Sequence, residues 1–495
     1  MKLNERKAGV LMPVSALPSK HGIGDFGHYA FHFVDLLKKG GYTLWQILPL
    51  NPLGYGHSPY QPFSSYAFDE LYISLDLLTK KRLIEAVPPF HEHAEKVLYE
   101  EIKAYKRHFL WEAFEKEIAK NPRCLLSFMK KEPWVKDYGV FMAFKESEDL
   151  RSWDSWPEAK REWVNNKKPL RGAFLKQARF QIWLQKTLYE QWGALHEYAN
   201  KKGIKIIGDI PFYVGFDSCD VWTHQNCFLL NQETHEPEWI AGVPPDYFSE
   251  TGQRWGNPIY DWDYLQKHDF DFLQERILRN AKIYDIIRLD HFRAFDTYWK
   301  IPSSCPTAID GKWIEAPGYA FFDSLFKKQE LAIIAEDLGD LRPEVLVLRD
   351  HYDFPGMNVV EFTFHDAEIS GDEKKHALWN SLNSVCYLGT HDNDTMLGYY
   401  NDLPKEEKEL WDKAIAKLQL KGETISEKMI HYCLGKDCAY AVIALQDLLG
   451  LDGKARINVP GIIDDVNWTW RLVSFKPLED KIVRLGELNK EYGRR

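Results

Sequence analysis

Ile286-Ile-Arg-Leu-Asp290 is a short apolar run, rich in β-branched side chains, that stops on a carboxylate. Three other runs stop the same way: Ile206-Ile-Gly-Asp209, Ile333-Ile-Ala-Glu336-Asp337 and Tyr387-Leu-Gly-Thr-His391-Asp392. Runs of this kind read as strands buried on both faces. Working outward gives eight of them, at 9–17, 43–50, 204–212, 284–290, 331–336, 357–362, 384–391 and 439–445. Helical patterns separate most of them, for instance 31–39 after the first and 343–349 after the fifth. Eight strands alternating with helices predict an α/β fold, a (β/α)8 TIM barrel. An open, doubly wound sheet is the competitor, but no Gly-x-Gly-x-x-Gly turn follows any of the strands.

Uneven strand spacing locates the insertions. The reading is a single barrel over 1–495, with largely helical subdomains inserted at about 51–203, 213–283 and 394–438 around its mouth. Helical patterns fill 95–120 and 171–201, whereas Gly and Pro density marks 242–258 as loop.

Composition narrows the function. Lys plus Arg is 63 against 73 Asp plus Glu, a net charge of −10 over 495 residues. That mild acidic bias argues against a nucleic-acid partner, which would leave a basic footprint. No apolar run approaches the roughly 18 residues of a membrane span. The stretch 9–17 could pass for a weak signal peptide, but Pro13 and Ser15 interrupt it and it reads better as a buried strand. Seven scattered cysteines form no disulfide framework and no zinc-finger spacing. A cytoplasmic protein with reduced thiols is the expectation. The aromatic load, 18 Trp, 25 Tyr and 28 Phe, suits either core packing or stacking on sugar rings.

In a barrel, the C-terminal ends of all strands converge on one mouth. Asp209, Asp290, Glu336 and Asp392 would therefore meet in a single cleft. Crowded like charges raise the pKa of at least one member, which is what a general acid needs, and two carboxylates are the minimum apparatus of glycoside chemistry. For any one of them a helix cap or salt bridge is an equal alternative, and Asp337 and Asp394 suit that plainer role. A divalent-metal site is the other reading of clustered carboxylates. Arg288 argues against it: two residues before Asp290 and on the same strand face, its guanidinium would pair with that carboxylate and keep it ionised.

The chain resembles the 4-α-glucanotransferases (amylomaltases, or disproportionating enzymes) of glycoside hydrolase family 77. The resemblance runs from Leu17-Pro-Ser-Lys-His-Gly-Ile-Gly-Asp25 to Asn467-Trp-Thr-Trp-Arg471. Between them lie Trp45-Gln-Ile-Leu-Pro-Leu50, Ser58-Pro-Tyr60, Gly208-Asp-Ile-Pro211, Arg288-Leu-Asp-His-Phe-Arg293, Ala335-Glu-Asp-Leu-Gly339, Phe354-Pro-Gly-Met357, Gly389-Thr-His-Asp-Asn-Asp-Thr395 and Gln446-Asp-Leu-Leu-Gly450. Together, in this order, these motifs are highly specific.

The resemblance implies retaining transfer between malto-oligosaccharides or other α-1,4-glucans, with no metal ion and no organic cofactor. Asp290 matches the family's nucleophile, Glu336 its general acid/base and Asp392 its transition-state-stabilising carboxylate. Ser58, Tyr60, Asp209, Trp255, Arg288, His391 and Asn458 match residues that bind the sugar chain. Tyr247 and Phe248, in the same segment as Trp255, become further stacking candidates. The chain departs from the family pattern at Tyr42, Phe68-Asp69, Ala377-Leu-Trp-Asn380, Ile457 and Val459, departures expected to bear on donor-subsite shape. The rival readings are an α-amylase-like hydrolase and a catalytically silent glucan-binding protein. Oligomeric state is left open.

Overall fold

The computed structural model describes residues 5–245, 249–339, 341–371, 382–462 and 464–495, with the Tyr55 side chain left out. Tyr247, Phe248 and the segment Ala377-Leu-Trp-Asn380 lie outside the described residues.

Eight parallel strands form one sheet: β1 (Lys7–Leu11), β2 (Leu44–Gln46), β3 (Lys205–Ile210), β6 (Ile286–Leu289), β9 (Ile333–Ala335), β10 (Gly356–Val359), β11 (Ser384–Tyr387) and β12 (Tyr440–Ala444). Successive strands of this series pair, save β9 with β10, and β12 returns to β1, giving the order β10-β11-β12-β1-β2-β3-β6-β9. The seam between β9 and β10 is closed differently. Ala335 N donates to Pro355 O at 3.0 Å, and the Asp337 carboxylate accepts from Met357 N at 2.8 Å while Arg349 pairs with its other oxygen. Gly356 makes room for that staple: a Cβ there would lie 2.4 Å from Asp337 Oδ2. The eight-stranded (β/α)8 barrel is the expected fold.

Almost every strand residue is buried, as parallel strands covered on both faces must be. Leu11, Leu44, Ile207, Ile334, Met357, Val385 and Val442 fill the barrel interior. The opposite faces, with Val10, Trp45 and Ile206, pack on helices such as His28–Lys39 and Gly172–Lys201.

The strands are shorter than their apolar runs. Residues 14–16 form a 3-10 turn after Pro13 instead of extending β1, and 360–364 turn helical directly after β10. Ladders end where the barrel rim runs out of lateral partners, and hydrophobicity carries on past that point. Asp392 consequently sits in the loop after β11 and not on the strand, and Asp209 lies inside β3.

The segment 242–258 is not all loop. β4 (Trp239–Val243) and β5 (Gln253–Pro258) pair antiparallel and join β7 (Thr297–Pro302) and β8 (Lys312–Glu315) in a four-stranded sheet, order β5-β4-β7-β8. Gly256 at φ 81° and Pro258 sit on the edge strand of this sheet, beside a register shift at 240–242, where an irregular edge tolerates them. β7 and β8 occupy an excursion after β6 that the strand spacing did not reveal. Between β2 and β3 the chain is helical, including Tyr99–Lys120, Val135–Ser147 and Gly172–Lys201. Helices Met396–Asp402, Lys405–Lys417 and Ile425–Gly435 precede β12. Among the described residues no helix is long and apolar enough to cross a membrane.

Phe68 is a core residue. It is 1% exposed, stacks on Tyr189 at 4.7 Å, and its backbone N–H and C=O are both bonded by the Gln185 amide at 2.8 Å. Asp69 accepts from Leu53 N and Leu71 N, and Tyr42 is 1% exposed. These departures from the family pattern serve packing.

Candidate active site

Arg288, near the end of β6, is the organising charge. Its Nη1 donates to Asp209 Oδ1 at 2.8 Å, to Asp209 Oδ2 at 2.9 Å and to Asp290 Oδ1 at 2.8 Å. β3 and β6 pair with Asp209 directly opposite Arg288, so the ion pair follows from the register. Gly208 keeps the register open: a Cβ there would lie 2.1 Å from the Tyr284 ring. Asp209 and Arg288 are 1% and 3% exposed, whereas the Asp290 side chain is 27% exposed. The buried pair forms a base from which the Asp290 carboxylate projects into the cleft.

Asp209 also receives the Tyr60 hydroxyl, Oη to Oδ2 2.8 Å. With its single proton committed there, Tyr60 Oη accepts from His391 Nε2 at 2.9 Å, so Nε2 carries a proton. The two rings stack at 5.3 Å and 14°. His391 Nε2 stands 3.4 Å from Asp392 Oδ2, and Asp392 Oδ1 accepts from Asn458 Nδ2 at 2.6 Å. Ser58 Oγ accepts from Tyr60 N at 3.3 Å, holding the turn that presents the tyrosine.

Glu336 follows β9, the strand beside β6. Its Oε2 accepts from His291 N at 2.7 Å and its Oε1 from Leu338 N at 3.1 Å. Burial pushes its pKa up to about 7; Arg288 opposes the rise, and the Asp290 charge adds to it. Trp255, on β5, packs edge-on against the His291 ring at 4.8 Å and 84°. Gln61 fixes that strand, donating to Trp255 O at 3.0 Å.

The ten residues picked out in the sequence thus fall into one connected arrangement at the C-terminal mouth. Asn458, Asp392, His391, Tyr60, Asp209, Arg288 and Asp290 are linked hand to hand, Ser58 supports Tyr60, and Trp255 reaches Glu336 through His291. Asp337 and Asp394 do take the plainer role. Asp337 closes the barrel seam, and Asp394 accepts from Thr395 N at the start of helix Met396–Asp402.

Three contributors escaped the sequence reading. His291 adopts φ 51°, a left-handed conformation that a non-glycine residue holds at a cost, and so aims its N–H at Glu336. Arg456 donates from Nη2 to Asp392 O and from Nε to Asn458 O, both at 2.7 Å. Trp468, with φ 67°, sets its indole against Tyr60 and His391 at 5.8 and 5.9 Å. Trp468 lay inside the Asn467–Arg471 motif and Arg456 beside Ile457 and Asn458, which was a usable signal. A left-handed backbone leaves none.

The family model for 4-α-glucanotransferases, glycoside hydrolase family 77, matches residues 12–476. The chain belongs to this family. As a family 77 member it is 40% identical to a 4-α-glucanotransferase of Clostridium butyricum, over 98% of this chain and 100% of that one. It is 38% identical to one of Thermus thermophilus, over 99% and 97%. A solved family 77 structure, amylomaltase from Streptococcus agalactiae in complex with acarbose, superposes with a TM-score of 0.92 at 35% identity, covering 99% of this chain and 100% of that one. The family places the chain among glycosyl-transferring enzymes.

Proposed function

We propose that the protein is a 4-α-glucanotransferase that disproportionates malto-oligosaccharides and related α-1,4-glucans in the cytoplasm. One observation carries the residue roles. Asp290 and Glu336 directly follow adjoining strands in the field of one guanidinium, the first hydrogen-bonded to it, the second with its pKa pushed up to about 7 by burial. Such a division of two carboxyl groups assigns nucleophile and acid.

Asp290 attacks the anomeric carbon of the bound glucosyl unit as Glu336 gives its proton to the glycosidic oxygen. The C–O bond to the leaving chain breaks and a glycosyl–Asp290 ester forms. Glu336, now anionic, removes the proton from the 4-OH of an acceptor glucan or glucose, whose oxygen displaces Asp290. The proton returns to Glu336 and the anomeric configuration is retained. Asp392, braced by Asn458, His391 and Arg456, stabilises the oxocarbenium-like transition state and binds ring hydroxyls. Tyr60 and Ser58 shape the donor side, and Trp255 with His291 covers the acid and helps exclude water while an acceptor arrives. One barrel holds the catalytic groups, and the inserted segments frame its mouth.

Incubation with maltotriose tests this. Glucose with a ladder of longer malto-oligosaccharides, at constant reducing ends, is expected, and Asp290→Asn should abolish it. Reducing ends that rise in step with maltotriose consumption would identify a hydrolase instead. Unchanged maltotriose and maltoheptaose would leave a glucan-binding protein.

A further inference from the structure

We propose that Gln61 is a positioning residue that sets the aim of Trp255 and ties the acceptor side of the cleft to the donor side. The inference rests on the glucanotransferase reading and extends it to the choice between a sugar acceptor and water.

It starts from a fault in a strand. β4 and β5 pair in register at Val243–Gln253 and Gly242–Arg254, and the register then shifts before Ile240–Pro258. Trp255, Gly256 and Asn257 thus stand against Ala241 alone. Gly256, at φ 81°, supplies the left-handed residue such a bulge needs. Bulges beside active sites re-aim a side chain, and the residues they add are left out of the ladder. β5 is the edge of its sheet, so what steadies the bulge must come from outside the sheet.

Gln61 supplies that hold. Its Nε2 donates to Trp255 O at 3.0 Å and to Asn257 Oδ1 at 3.1 Å, one proton to each end of the bulge. Asn257, 4% exposed, passes the hold on by donating from Nδ2 to Val214 O at 2.9 Å. Gln61 is itself fixed. Its N–H donates to Ser58 O at 3.3 Å, and a Cβ on Gly54 would lie 2.3 Å from its carbonyl oxygen.

Two consecutive residues therefore serve opposite sides of the cleft. Tyr60 bonds Asp209 and His391, while Gln61 bonds the strand of Trp255. The indole Nε1 is tied to Gln253 Oε1 within β5 at 3.0 Å, so the ring follows its own strand. Its edge contact with His291 then leads to Glu336, which the His291 N–H holds. Once a glycosyl–Asp290 ester has formed, water competes with the acceptor hydroxyl for the anomeric carbon. A Trp255 that is free to wander loses its value as a stacking surface and as a screen, and water gains.

Maltotriosyl fluoride with glucose as acceptor isolates this step, because fluoride is too small to use the acceptor side on leaving. The fluoride burst reports formation of the ester, maltotriose counts esters taken by water, and maltotetraose counts those taken by glucose. Gln61→Ala should raise the ratio of maltotriose to maltotetraose on the order of tenfold and leave the burst rate within about twofold. Gln61→Glu keeps the length and sets oxygen against oxygen, so it should act in the same direction. An unchanged ratio in both variants, or a burst that falls as far as the ratio rises, would overturn the proposal. Wild-type protein that makes no maltotetraose would sink the transferase reading alone. The positioning would then be judged by crystal structures of wild type and Gln61→Ala, where a Trp255 ring displaced by about 1 Å or more supports it and an unmoved ring overturns it.

Discussion

The main-chain nitrogen of His291 donates to Oε2 of Glu336 at 2.7 Å from a backbone at φ 51°. The residue after the proposed nucleophile thereby holds the proposed acid. The hydrogen bond favours the anionic form that Glu336 must take up after proton donation, and burial beside Asp290 favours the neutral form it needs before. The balance is a carboxyl that titrates near 7.

The first prediction concerns that balance. Glu336 must be protonated when free enzyme meets donor, so kcat/KM should fall on the alkaline side with a midpoint near 7. Asp290→Asn removes a charge that raises this pKa, and a site-resolved titration of Glu336 in that variant should move downward. An unmoved midpoint would show that the two carboxyls do not sense each other.

Glu336→Gln should lower transfer from maltotriose by about 10²- to 10⁴-fold. A glucosyl donor with a fluoride leaving group departs without protonation, so it should recover the first step but not the second. Release of fluoride in a single burst, read with an ion electrode, checks this.

Tyr60→Phe keeps the ring stacked on His391 and removes the hydroxyl between Asp209 and His391. Losing a hydrogen bond to a charged group inside a low-dielectric site costs about 1.5–3 kcal/mol, so kcat/KM should fall roughly 10- to 100-fold. A change under twofold would remove Tyr60 from the working site.

Arg456→Gln breaks the brace on the Asp392 and Asn458 carbonyls. Displacing a reacting group by about 1 Å can cost 10²-fold. The loss should fall on kcat with KM little altered, and Arg456→Lys should recover part of it. A pure KM effect would mean that Arg456 shapes binding and not the carboxylate's aim.

Asp447 supplies a stability test away from the sugar. It is 2% exposed, accepts from Met396 N at 2.7 Å, and burial pushes its pKa up to about 7. The unfolded value is about 3.9, so at about pH 3 and below the group is largely neutral in both states. Between about 4 and 7 only the unfolded chain ionises, which costs stability, and above 7 the cost is constant. Asp447→Asn keeps an oxygen for Met396 N, so its unfolding temperature should exceed the parent's at about pH 8 and match it at about pH 3. The reverse order would show that the charge is compensated in the fold.

All eight barrel strands were legible because strands covered on both faces read as unbroken apolar runs. Their ends were not, because a ladder stops where pairing stops, and Leu388 stays buried beyond β11 although it pairs with no neighbouring strand. β5 was hidden by Gly256 and Pro258, which an edge strand accepts and a central strand would not. That Asp209, Asp290, Glu336 and Asp392 gather at one mouth was legible from their positions after strands and from family motifs. Arg456 stands beside Ile457 and Asn458, yet its bond to a main-chain oxygen 64 residues away leaves no pattern of residue types that names the partner.

The barrel seam has a consequence for anyone rebuilding this site elsewhere. Glu336 sits beside Asp337, whose carboxylate fastens β9 to β10 where backbone pairing alone does not. Transplanting the sugar-facing residues into another eight-stranded scaffold would carry the acid but leave its hinge pin behind. Asp337, Arg349 and Gly356 would have to travel with it as one cassette, although none of the three is assigned a contact with the sugar.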